Sequence, residues 1–153
     1  MGQYDKTIDE IRRFNRFYTV NMGFLNASYL DSKYSVAETR ILFEIKTHKI
    51  CIQSDIVKAL HIDKSYLSRI VQRFCEKGIV EKIKANDDKR TTRITLTALG
   101  NAEAERLIDL TNQQIHAQII GLSSDECSSL CAALNTVISI LGKGEEQYED
   151  YSV

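Results

Sequence analysis

No proline occurs in the 153 residues, and glycine occurs only seven times. Proline ends or kinks helices and glycine loosens them, so their scarcity favours helices joined by short loops. Long apolar runs are also missing. The longest is a few residues, whereas a membrane-spanning helix needs about 20. The N-terminal MGQYDKTIDEIRR lacks the apolar core of a secretory signal. With no export signal, the four cysteines are expected to be reduced and the chain cytoplasmic. His48, His61 and His116 are scattered, and no HExxH motif, phosphate loop, dinucleotide fingerprint or nucleophile elbow is present. No cofactor, no metal and no enzymatic activity are therefore expected. What remains is an ordinary globular composition, 43% hydrophobic and 27% charged, enough for one domain or one core with a helical extension.

The net charge of -1 conceals an uneven distribution. Between Lys58 and Arg93 there are ten Lys or Arg and five acids, leaving ten bases and sixteen acids elsewhere. A basic middle between acidic flanks is the electrostatic footprint of a nucleic-acid reader, though a solvated surface of uneven charge would look the same.

Periodicity orders the elements. Apolar residues at Ile8, Ile11, Tyr18, Met22, Leu25 and Tyr29, with a second stripe of Phe14, Phe17 and Phe24, predict a helix from about Lys6 to Tyr29 that packs on two faces. Ser35 and Glu38 form a capping box opening a helix with Ile41, Leu42 and Ile45 inward. KICI (49–52) is β-prone, and QSDIVKAL is a short helix with Ile56, Val57 and Leu60 inward. HID (61–63) is a turn, with Asp63 placed as an N-cap. Leu67, Ile70, Val71 and Phe74 then mark a helix that stops at Gly78. IVEKIK and RITLT read as two strands around KANDDKRTT, with Asn86 and Asp87 as turn residues. ALGNAEAERLIDLTNQQIHAQII is one long helix. A second capping box, Ser123 and Glu126, opens a helix striped by Cys127, Leu130, Cys131, Leu134, Val137, Ile138 and Leu141. The acidic end is expected to fray.

Helix, short strand, helix, helix, strand, loop, strand is the order of a winged helix-turn-helix. The fold class is mainly α with a small β-hairpin wing. The expected organisation is an N-terminal dimerisation helix (1–34), a winged DNA-binding domain (35–97), C-terminal dimerisation helices (98–142) and an acidic tail (143–153), all one structural unit. On the second helix of the motif the core takes the apolar stripe, leaving Lys64, Ser65, Tyr66, Ser68, Arg69, Gln72 and Arg73 outward. Ser65, Tyr66, Ser68 and Arg69 are the candidates for base edges. Lys64 and Arg73 are the candidates for phosphates. A solvated helix with ordinary polar residues is the competing reading.

Gly78-Ile79-Val80-Glu81, Asp88-Lys89-Arg90, then Leu96-Thr97 after a gap of five, and Gly100, with LSRIVQRFCEKG upstream, resemble the signature of the MarR family of bacterial regulators. IRRFNRFYT and YSVAETRILFEI are similar to the MarR-like half of proteins that fuse this domain to a GNAT acetyltransferase. The chain ends at Val153 without room for that second domain. The resemblance implies a homodimeric, ligand-responsive repressor binding a pseudo-palindromic double-stranded operator. It makes Arg90 the wing arginine of the minor groove, flanked by Lys89, with Asp88 orienting Arg90 or Arg69. It also implies a small aromatic or anionic effector, for which Tyr18, Met22, Tyr29 and Arg40 are candidates. A winged-helix protein-interaction module without DNA binding is the alternative. Relatives that sense oxidants use a cysteine in the first helix, and here the first is Cys51. Cys127 and Cys131, on an apolar stripe with no third ligand in reach, read as buried core thiols.

Overall fold

Helix ends in this chain are set by side-chain caps and by left-handed stops. The computed structural model describes residues 2–26, 28–84 and 91–143. The first helix, α1 (Gln3–Asn21), ends earlier than the apolar spacing predicts. Gly23 at φ +67 closes a Schellman motif, its N–H donating to the Val20 carbonyl while Phe24 N–H donates to Thr19. Met22, Leu25 and Tyr29 keep helical phase but belong to the following loop. That loop contains a 3-10 turn, Tyr29–Asp31, in which Leu30 and Asp31 adopt positive φ (57 and 52).

The capping boxes form as expected. In α2 (Val36–His48), Ser35 Oγ accepts from Glu38 N–H at 3.2 Å while Glu38 Oε2 accepts from Ser35 N–H at 2.8 Å. A two-residue strand, β1 (Cys51–Ile52), leads into α3 (Gln53–Leu60). Asp63 then caps α4 (Lys64–Glu76), accepting from Tyr66 N–H at 2.9 Å. β2 (Val80–Lys84) and β3 (Thr92–Leu96) follow, giving an antiparallel sheet of order β1-β3-β2 with Lys82 opposite Ile94 and Ile83 opposite Arg93. Only Val80 of β2 is buried, because the ribbon runs off the core after one residue; that explains its poor alternation. α5 (Ala98–Ile119) and α6 (Ser124–Leu141) complete the described chain, the second opened by the reciprocal Ser123–Glu126 box. Residues 144–153, nearly all of the expected acidic tail, lie outside the described residues.

One core serves the winged motif. Ile41, Leu42 and Ile45 of α2, Ile56 of α3, the α4 stripe Leu67, Ile70, Val71 and Phe74, and Ile79, Val80, Ile94 and Leu96 of the wing are all buried. Ala104 and Leu107 of α5 close it from above. Each fully buried Ile or Leu contributes about 1.5–3 kcal/mol relative to exposure. The two outer helices contrast with this. Among the described residues α6 buries none, and Phe17 of α1 and Leu141 of α6 are 63% and 66% exposed. The expectation of buried thiols at Cys127 and Cys131 is corrected accordingly: Cys127 is half-buried and Cys131 exposed, since no other described residue buries their stripe. No helix among the described residues is long and apolar enough to cross a membrane.

Candidate nucleic-acid interface

α4 is built to show one face. Its apolar stripe is wholly buried, so the opposite face is presented outward with its polar groups intact. Lys64, Ser65, Tyr66, Arg69, Gln72 and Arg73 are exposed as expected. Ser68 differs: it is half-buried, and its hydroxyl donates to Gln53 Oε1 on α3 at 3.0 Å. Gln72 Nε2 donates to Glu76 Oε1 at 3.3 Å, one turn on.

Arg73 is not a free cation either. Its Nη2 donates to Glu38 Oε1 at 2.8 Å, while the other oxygen of Glu38 is occupied by the Ser35 N–H of the capping box. The same carboxylate thus starts α2 and holds the guanidinium of α4. Arg73 is more than half exposed, so solvent screens the pair and its effect is on orientation more than on stability.

Behind α4, Tyr34 ties the motif to α5. Its ring meets Phe74 edge-on at 6.1 Å, and its hydroxyl donates to Glu103 Oε2 at 3.0 Å. Burial, reinforced by Glu103, pushes the Tyr34 phenol well above its ordinary value. Burial also pushes Glu103 up, but the Tyr34 bond with Lys33 and Arg106 outweighs it and holds the carboxyl below its usual range. Lys33 and Arg106 lie 3.4 and 3.6 Å from Glu103 Oε2.

The wing strands add charge beside α4. Lys82, Lys84 and Arg93 are exposed on the projecting ribbon. The residues expected at its tip, Asp88, Lys89 and Arg90, lie outside the described residues, as does the Asn86-Asp87 turn.

The four predicted effector residues are brought only partly together. Tyr18 stacks on Phe14 at 5.5 Å and meets Phe24 edge-on, and Phe24 in turn packs on Tyr29. Tyr29 is buried, which raises its phenol pKa, while nearby Arg40, itself exposed, opposes that rise. A cleft of about 380 Å³ opens beside this cluster, lined by Met22, Gly23, Asn26, Leu30, Asp31, Leu110, Gln113 and Gln114. Of the four, Met22 alone lines it. Gln114 Nε2 donates to Met22 O at 3.1 Å, and Gln114 Oε1 is buried without a hydrogen-bond partner among the described residues.

The thiols divide by burial. Cys51 is buried, which with Asp55 and Glu44 pushes its pKa to about 11, so it is protonated and unreactive at neutral pH. Two residues of the interface escaped the sequence reading. Gln53 and Glu38 touch α4 from 15 and 35 positions away, a relation no local pattern encodes.

The winged portion, residues 35–92, matches the model of the MarR family. Over 105 residues the chain is 29% identical to the multiple antibiotic resistance protein MarR of Escherichia coli strain K12, covering 68% of this chain and 73% of that protein. A mutant of the same E. coli protein, solved in complex with operator DNA, superposes with a TM-score of 0.70 at 25% identity, over 90% of this chain and 99% of that one. Bordetella bronchiseptica BpsR, a structure of regulation of DNA binding by 6-hydroxynicotinic acid, shares the fold: TM-score 0.66, 22% identity, 86% and 98% covered.

Proposed function

We propose that the chain is a member of the MarR family, whose model matches residues 35–92, and that it is a sequence-specific, double-stranded DNA-binding transcriptional regulator rather than an enzyme. In this reading it acts as a homodimeric, ligand-responsive repressor. The observation that carries it is the exposed polar face of α4, which starts at the helix-turn-helix corner where Asp63 caps it. α4 enters the major groove, with Ser65, Tyr66, Ser68 and Arg69 toward base edges and Lys64 and Arg73 toward phosphates. Glu38 aims the Arg73 guanidinium and leaves its remaining N–H groups for the backbone. By the family resemblance Lys89 and Arg90 are the candidates for the adjacent minor groove, whose negative potential attracts a guanidinium, with Asp88 orienting Arg90 or Arg69. The outer helices bring two copies together so that their α4 helices lie about 34 Å apart, one turn of DNA. The cleft beside Met22 and Gln114 receives the effector.

Binding to operator DNA is expected to weaken by at least about 10³-fold between 50 and 200 mM salt, because phosphate contacts release counterions. Fluorescence anisotropy across a salt series reads the slope. Salt-insensitive or absent binding would favour a protein-interaction module instead. Arg90→Ala should weaken binding with the fold intact, while Arg69→Ala should cost about 1–3 kcal/mol on the operator alone. An equal loss on every sequence would make Arg69 a phosphate contact.

A further inference from the structure

The hydrogen bond between α3 and α4 decides what one reading side chain can say. A serine hydroxyl has one proton to donate and two lone pairs to accept with. Free in a groove, it rotates to suit either kind of partner and discriminates little. Here Ser68 is not free, because it donates that proton to Gln53 Oε1 at 3.0 Å. Gln53 is half-buried at the first position of α3, directly after Ile52, so the acceptor sits at the junction of the two helices. Among the described residues this is the one hydrogen bond its side chain makes. Ser68 itself lies between Ser65 and Gln72, which are exposed one turn before and one turn after it on the same face of α4.

We propose that Gln53 is a specificity-determining residue that acts through Ser68. By taking the hydroxyl proton it leaves Ser68 with lone pairs alone toward the groove. Ser68 is then an acceptor, and the base it reads must offer a donor. In the major groove only adenine N6 and cytosine N4 do so; guanine and thymine show acceptors at the matching positions. The bond thus turns a permissive serine into a reader of exocyclic amino groups. Gln53 touches no base and is a positioning residue. The inference rests on the DNA-binding reading above, and the two fail differently.

The full chain is first used to select duplexes from a random-sequence library. No enrichment overturns the DNA-binding reading itself. With an enriched site in hand, all four base pairs are placed at each position and affinities compared for four proteins: wild type, Ser68→Ala, Gln53→Leu and Gln53→Glu. One position should favour adenine or cytosine about tenfold in the wild type, and Ser68→Ala should flatten that preference there and nowhere else. Gln53→Leu frees the proton and should flatten the same position. Gln53→Glu keeps an acceptor oxygen, so it should keep the preference; a ratio between bases divides out the added charge. A Ser68-dependent preference for guanine or thymine overturns the proposal, as does a preference that survives Gln53→Leu. Should Gln53→Leu not fold, loss of the preference in a folded Gln53→Glu overturns it instead.

Discussion

Gly100→Ala is expected to destabilise the fold by about 3 kcal/mol, at the upper end of what added volume costs a packed interior. A Cβ at Gly100 would stand 2.0 Å from the carbonyl oxygen of Ile79 and 3.0 Å from its carbon. The neighbour is backbone, so no rotamer change relieves the contact. Nor is the carbonyl free to retreat. It accepts from Thr97 N–H at 3.0 Å and lies 3.2 Å from Thr97 Oγ1, which donates mainly to the Gly78 carbonyl at 2.6 Å, and Thr97 is also the N-cap of α5. Ile79 N–H in turn closes the end of α4 on the Phe74 carbonyl at 2.9 Å. Relief therefore requires either α5 or the α4–β2 junction to shift. Urea unfolding measures the cost, and the melting temperature should fall by about 10 °C. Gly121→Ala is the control, because a Cβ there meets nothing within 4 Å and should change stability little. A Gly100→Ala protein within about 0.5 kcal/mol of wild type would show that the junction has slack the geometry denies.

Much of the fold was readable because its signals are local. Ser35 with Glu38, Asp63, and Ser123 with Glu126 all cap where their spacing predicts, since a capping bond spans only three residues. The α4 stripe at Leu67, Ile70, Val71 and Phe74 is buried throughout, and from it the outward face follows by subtraction. Errors arose where tertiary contacts override phase. Met22 and Tyr29 continue the periodicity of α1, yet they are buried as loop residues while α1 itself stays exposed. Gly23 supplies the stop, and Gln114 of α5 holds the Met22 carbonyl just before it. The pairs Gln53–Ser68 and Glu38–Arg73 depend on how helices cross, which composition cannot state. Periodicity also reveals that α6 has an apolar stripe without revealing what covers it. That distinction explains why Cys127 and Cys131 read as core and are not.

Leu134→Asp is expected to separate the proposed dimer into folded monomers and to lower operator affinity by about 100-fold or more. Leu134 lies mid-stripe on α6, between Leu130, Val137, Ile138 and Leu141, all exposed in the single chain. α1 shows a matching series in Ile8, Ile11, Phe14 and Phe17. Contiguous apolar surface on this scale is rare on a soluble monomer and marks an interaction face. No described residue of α6 is buried by its own chain, so substitution there removes no intramolecular core contact of the winged motif. In a two-fold interface each substitution appears twice, placing two carboxylates in the apolar seam at once. Light scattering should give the wild type twice the 17.4 kDa of one chain and the variant a single chain. Circular dichroism should be unchanged, because the winged core loses nothing. The affinity loss then follows from geometry: two α4 helices on one dimer bind their half-sites jointly, and two monomers must bind them separately. A wild type of single-chain mass would sink the dimer outright. A monomeric variant with undiminished operator affinity would mean that one winged motif recognises DNA alone, and that the outer helices serve another partner.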